Sequence, residues 1–191
     1  LGRSAQSCAQ LGPKHVYLDF IGALQRLVEK RDRQLMFWSD IVQKEPSSLK
    51  RLSKELIALN WGYEANQPFA REAEHVAKQG IPFYVCPGTS SWNSLTGRTE
   101  NMRRNIASAA RHGHNFNAEG LLVTDWGDHG HHQYLPVSYP GFAVGACESW
   151  RTGSSKRLNL PDLVNWAFIG ESNLNTAETI ISLGQVLEQA R

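Results

Sequence analysis

The sequence predicts an α/β fold: half of a (βα)8 TIM barrel, about four βα units, followed by C-terminal helices. Three observations carry this. Four short apolar runs, Gln34–Trp38, Leu56–Trp61, Ile81–Val85 and Leu121–Thr124, each open into a polar loop, as buried parallel strands do at their carboxyl ends. Segments of helical period separate them at roughly 25–40 residues per unit, the rhythm of right-handed βαβ crossovers. The chain has 191 residues, whereas a complete eight-stranded barrel normally takes ~250. The expected division is a half-barrel over 1–150 and a C-terminal helical extension over 151–191.

In chain order, residues 1–15 are polar with small residues and give no firm assignment. Tyr17, Phe20, Ile21, Leu24, Leu27 and Val28 follow helical spacing up to the charged stretch Glu29–Arg33. The first strand ends in Trp38-Ser39-Asp40. Pro46-Ser47-Ser48 is expected to start a short helix carrying Leu49 and Leu52. The second strand ends in Asn60-Trp61-Gly62-Tyr63-Glu64. Pro68 opens a helix with Phe69, Ala73, Val76 and Ala77 on one face and Gly80 as its stop. The third strand runs into Cys86-Pro87-Gly88-Thr89-Ser90-Ser91-Trp92-Asn93. Thr99 is a plausible N-cap for a helix burying Met102, Ile106, Ala109 and Ala110 and ending near Gly113. The fourth strand opens into Asp125-Trp126-Gly127-Asp128-His129-Gly130-His131-His132. Pro136–Trp150 reads as a helix with a loop entry, and Arg151–Lys156 as a polar linker. Pro161–Phe168 and Thr176–Ala190 read as two closing helices, the second burying Ile180, Ile181, Leu183 (or Leu187) and Val186.

Hydrophobic content of 41% and charged content of 20% are globular values. A formal charge of +2, with the basic residues scattered, argues against a nucleic-acid partner. No apolar run approaches the ~18 residues that span a bilayer, so no membrane partner is expected. Cys8, Cys86 and Cys147 form neither a disulfide framework nor a zinc pattern, and read as free thiols in a reducing, cytoplasmic setting. Leu1-Gly2-Arg3-Ser4 has neither a methionine nor a signal-peptide pattern, and reads as the middle of a gene or a processed end.

Six tryptophans are unusual for this length, and four of them, Trp38, Trp61, Trp92 and Trp126, fall at or just past strand ends. Any one of them could be core packing beneath a loop. Together they form the kind of apolar wall that suits a pyranose face. Tyr63 joins them. Asp40, Glu64, Asp125 and Asp128 flank the tryptophans and can bind sugar hydroxyls or act as general acid and base. Asp125 and Asp128 are the candidate catalytic pair, although Asp125 could equally cap its loop or pair with Arg104 or another basic residue. His129, His131 and His132 match no metal spacing, and a loop or substrate contact at His129 is expected instead. No cofactor is expected. Gly88 and Gly127 are expected to supply turn conformations.

The segments Leu35–Asp40, Ala58–Glu64, Tyr84–Ser94 and Thr124–Asp128 resemble the family 20 glycoside hydrolases, the β-N-acetylhexosaminidases, and in particular their bacterial divergent branch. The resemblance implies that the four strands are the fifth to eighth of a (βα)8 barrel. It also implies that Trp126 and Asp128 stand where the family's Trp-x-Glu packs on the sugar and binds its outer hydroxyls, with Asp in place of Glu. The family's Asp-Glu pair, which orients the acetamido group and protonates the leaving oxygen, has no counterpart in this chain. Its Tyr-x-Asp has no clear match in the third strand.

The expected function is therefore that of a glycoside hydrolase-type protein acting on or binding a terminal β-linked (amino) sugar at the strand ends. A non-catalytic carbohydrate-binding half-barrel and a truncated glycosidase remnant are the alternatives. An open half-barrel leaves two strand edges and an apolar interior face uncovered, so a homodimer that closes a 4+4 barrel is the expected assembly.

Overall fold

The computed structural model describes residues 2–43, 50–173 and 175–189. Four parallel strands, β1 (Met36–Trp38), β2 (Ile57–Trp61), β3 (Phe83–Cys86) and β4 (Gly120–Leu121), lie side by side in sequence order. Eight α-helices accompany them among the described residues: α1 (Ala5–Leu11), α2 (Pro13–Glu29), α3 (Asp40–Gln43), α4 (Phe69–Lys78), α5 (Thr99–Asn115), α6 (Tyr139–Trp150), α7 (Leu160–Val164) and α8 (Asn175–Gln189). No described helix is long and apolar enough to cross a membrane. The proposed helix start at Pro46-Ser47-Ser48, with Leu49, lies outside the described residues.

Strand alternation divides the sheet into two faces. Phe37, Ala58, Phe83 and Val85 point to one of them and are buried among Ile21, Val42, Phe69, Ala73, Val76 and Ala109, so α2, α3, α4 and α5 cover it. The opposite face carries Trp38, Leu59, Trp61, Tyr84 and Cys86. Coverage there is incomplete, with Met36 41% and Leu122 40% exposed. A second core joins Met102 and Ile106 of α5, Ala143 and Val144 of α6, Leu160 and Val164 of α7, and Ala177 and Ile181 of α8. The C-terminal helices thus share a core with the last βα unit.

Several local expectations are corrected. Within the unassigned N-terminal stretch Gly2–Ser4 forms a 3₁₀ turn and Ala5–Leu11 a helix, and α2 starts at Pro13, whose missing N–H costs nothing in a first helical turn. In α2 it is Leu18 and Ile21 that are buried, while Phe20 and Leu27 are more than half exposed on the flank of the stripe. The fourth strand begins at Gly120 and pairs with β3 over two residues; Thr124 then rejoins the sheet through a bridge to Gly88. Thr99 does not cap α5. It is the helix's first residue, and its hydroxyl donates to the Ile181 carbonyl at 3.0 Å, tying α5 to α8. The segment after Pro161 turns π-helical over Asn165–Ile169. In α8, Ala177, Ile181 and Gly184 face inward, while Leu183 and Val186 are exposed. The side chain of Leu187 and residue Ala190 lie outside the described set.

One close approach fixes α6 against the strand-end loops. A Cβ at Gly141 would sit 2.8 Å from Cα of Thr89, a backbone atom that cannot swing aside. Gly141→Ala is expected to destabilise the fold by about 1–3 kcal/mol in urea denaturation, despite alanine's better helix propensity. Gly22→Ala, in α2 with only the Arg26 guanidinium 3.7 Å away, is the contrasting case; it should stabilise by about 0.5–1 kcal/mol.

Candidate functional site

The carboxyl ends of β1, β2 and β4 converge on one cavity. At the end of β1 the chain turns sharply, because the Ser39 amide and hydroxyl both donate to the Leu59 carbonyl, at 3.1 and 2.9 Å. That turn presents Trp38 and, in the first turn of α3, Asp40. The Tyr17 hydroxyl donates to the Trp38 carbonyl at 3.0 Å, bracing the strand end from α2. Trp61 closes β2, and Tyr63 follows two residues on. Beyond Thr124 the loop brings in Trp126 and Asp128.

Trp38, Asp40, Trp61, Tyr63, Trp126 and Asp128 together line a cavity of about 320 Å³, within the usual range for small-ligand sites. All six are residues singled out from the sequence. Their rings brace one another. Trp61 stacks on Tyr63 with centroids 5.1 Å apart, and Trp38 meets Trp126 at 5.9 Å and a tilt of 54°. The Trp126 indole N–H donates to the Tyr63 hydroxyl at 2.9 Å, and the Trp61 indole N–H to the Asp40 carboxylate at 3.3 Å. Burial raises the Tyr63 phenol pKa, a shift to which the Cys86 and Asp128 charges add and which hydrogen bonds with Thr124 and Trp126 oppose. The phenol is therefore neutral at ordinary pH and can serve as a donor.

The remaining predicted site residues lie elsewhere. Trp92 is 8% exposed and presents its ring edge-on to Tyr63 at 4.9 Å, so it supports the cavity wall from behind. Glu64 accepts a bidentate pair from Arg98, both bonds at 2.9 Å. The Asp125 carboxylate accepts from the hydroxyls of Thr89, Ser91 and Ser138, the last two at 2.7 and 3.0 Å. It pairs with hydroxyls, not with a basic residue, and is not among the side chains lining the cavity. His129 is exposed in a 3₁₀ turn spanning Asp128–Gly130. Among the described residues no three His, Cys, Asp or Glu side chains are grouped to hold a metal ion.

Gly88 and Gly127 serve spacing rather than left-handed turns, since neither has a positive φ. A Cβ on Gly88 would lie 2.4 Å from the Trp92 ring and 2.9 Å from Tyr63; one on Gly127 would lie 2.6 Å from His131.

Two residues that sequence reasoning missed hold the loops in place. Asn105, fully buried, donates to the carbonyls of Gly62 and Glu64 at 3.0 and 2.9 Å and accepts from the Gly88 amide at 3.1 Å. Asn101 donates to the Tyr63 carbonyl at 2.7 Å and accepts from the Ala65 amide at 2.8 Å. Their signal is an i,i+4 pair of amides on a helix, with Asn105 beside Ile106 on the apolar stripe, where a polar side chain needs a buried partner.

Beneath the cavity, Cys86 is buried and burial pushes its thiol pKa up to about 12. At pH 8 the native thiolate fraction falls on the order of a thousandfold below that of an ordinary cysteine with pKa ~8.5. Iodoacetamide should therefore label Cys86 at pH 8 only after denaturation, as read by peptide mass spectrometry. Because the folded pKa is the higher one, this group's contribution to stability is intact below about pH 8.5 and is lost as pH rises towards 12.

Comparison of the chain with models of known protein families and with curated proteins finds no match.

Proposed function

We propose that the chain is a glycoside hydrolase-type protein that binds the terminal β-linked sugar of a glycan in the aromatic cavity. The observation that supports this reading best is the cavity's composition: three indoles, one phenol and two carboxylates around about 320 Å³. A pyranose offers an apolar face to stack on an aromatic ring and a rim of hydroxyls that carboxylates accept from. Asp40 and Asp128 are the acceptors and the Tyr63 hydroxyl is the donor, while the Trp61 and Trp126 N–H groups orient Asp40 and Tyr63. Asp125 acts at one remove, holding the loop that carries Trp126.

The same two carboxylates support a catalytic version in which Asp128, on the more open wall, is the general acid. Titration of intrinsic tryptophan fluorescence with methyl β-glycosides, beside hydrolysis of the matching chromogenic glycosides, tests both. Saturable binding is expected. Turnover that Asp128→Asn abolishes, with affinity kept, would establish the catalytic version. Absence of binding to every sugar in the panel would overturn the carbohydrate reading.

The half-barrel reading extends to assembly. Among the described residues β1 and β4 each have one sheet neighbour, and the face bearing Met36 and Leu122 is part-exposed. A second copy, related by a twofold axis, would cover both edges and that face. Light scattering at micromolar concentration should give the mass of a dimer; a monomer that still unfolds cooperatively would overturn this.

A further inference from the structure

A second, larger cavity of about 530 Å³ adjoins the aromatic one, and Asp40 and Trp61 belong to the walls of both. It opens on the helix side of β2, between α3 and α4, and its character is different. Gln43, Asn60 and Gln67 contribute amides, and Arg71, Glu72 and His75 come from one face of α4.

The unexplained group is Asn60. The residue is 1% exposed, and its Nδ2 is buried without a hydrogen-bond partner. The orientation of the amide is fixed, because the Gln43 amide nitrogen donates to Asn60 Oδ1 while also reaching the Ser39 hydroxyl at 3.1 Å. Nδ2 is thus the unpartnered end of a residue that lines the cavity. A buried donor left unpaired is costly, and an acceptor supplied by a ligand would offset that cost. On the other wall Gln67 donates to both Glu72 oxygens, at 3.0 and 2.9 Å. Burial raises the Glu72 pKa.

The charges decide the ligand's class. The carboxylates of Asp40 and Glu72 share the lining with the Arg71 guanidinium, so the cavity is not a pure cation or anion site. Amides and mixed charges suit a neutral, hydroxyl-rich molecule, and the shared Trp61 places it next to whatever fills the aromatic cavity.

Resting on the carbohydrate reading above, we propose that this cavity takes the second sugar unit of a β-linked oligosaccharide, with Asn60 Nδ2 donating to one of its oxygens. The protein would then select for chain length, not only for the terminal residue.

The test compares affinities for methyl β-glucoside, cellobiose and cellotriose, and for methyl β-N-acetylglucosaminide, chitobiose and chitotriose, by calorimetry. In at least one series the wild-type protein should bind the disaccharide tenfold or more tightly than the methyl glycoside. Asn60→Leu, close in size and free of the unpaired amide, should erase that ratio and keep methyl glycoside affinity within about twofold; Gln43 keeps its bond to the Ser39 hydroxyl but loses the Asn60 acceptor, so cooperative unfolding is checked beside it. Arg71→Ala, at an exposed position on α4, is the second variant and should reduce the ratio severalfold without touching the core. Equal affinity for mono- and disaccharide in the wild type would overturn the proposal and leave the terminal-sugar site standing. So would a ratio that survives both substitutions, which would point to an ordered water at Nδ2. No affinity for any of the six sugars would overturn this proposal and the underlying function together.

Discussion

Replacing Asp125 with alanine is expected to lower the unfolding free energy by about 3 kcal/mol, because hydrogen bonds to a charged acceptor contribute about 1.5–3 kcal/mol and several are lost together. The carboxylate is the common acceptor for Thr89, Ser91 and Ser138. Thr89 and Ser91 sit on the loop after β3, Ser138 begins the entry to α6, and Asp125 itself follows β4. One side chain therefore ties the entry to α6 to the two strand-end loops, which are themselves linked through the Gly88–Thr124 bridge and the short β3–β4 pairing. All three hydroxyl-bearing residues are at most 3% exposed, so water cannot replace the lost acceptor without opening the structure. Asp125→Asn keeps one carbonyl acceptor and should cost about half as much. Urea denaturation followed by tryptophan fluorescence measures both. A loss under 1 kcal/mol for the alanine variant would mean that the hydroxyls find other partners and that the cluster is not a structural joint.

The same cluster shows where sequence reading reaches its limit. Asp125 and Asp128 lie three residues apart beyond the same strand and carry identical chemistry, so residue type and spacing rank them equally. Direction separates them. Asp125 turns back towards the hydroxyls of the preceding loop, whereas Asp128 reaches the cavity past the turn at Gly127. Glu64 and Tyr63 divide in the same way: the phenol faces the cavity, and the carboxylate reaches Arg98, 34 residues along the chain. The strands were readable because each is an apolar run with a defined polar end. The tryptophans of the cavity were readable because strand ends in a parallel sheet share one edge. Thr99 was misread as a cap because its partner, the Ile181 carbonyl, belongs to a helix 82 residues away. Asn60 carried a visible sign, a polar residue inside an apolar strand, yet the missing partner that makes it informative exists only in three dimensions.

Trp61→Ala is expected to weaken sugar binding about thirtyfold, corresponding to about 2 kcal/mol, the size typical of a buried aromatic anchor at a binding site. The indole has three separate tasks. It stacks on Tyr63 at 5.1 Å, it fixes the Asp40 carboxylate through its N–H at 3.3 Å, and it forms part of the wall of both cavities. Removing it takes away a stacking face and frees a carboxylate that the ligand needs oriented. Trp61→Phe retains a ring but not the N–H, and should recover most of the stacking while leaving a loss of a few fold; the difference between the variants isolates the contribution of Asp40. Trp150→Ala, at a position 93% exposed, is the control for a tryptophan remote from both cavities and should leave affinity unchanged. Each variant should first be shown to unfold cooperatively, so that a lost site is not confused with a lost fold. If Trp61→Ala binds the wild type's best methyl glycoside with undiminished affinity, the ligand does not rest on this wall. The aromatic cluster would then be a packed cap over the strand ends, and the carboxylates around it would have to be explained by folding instead of recognition.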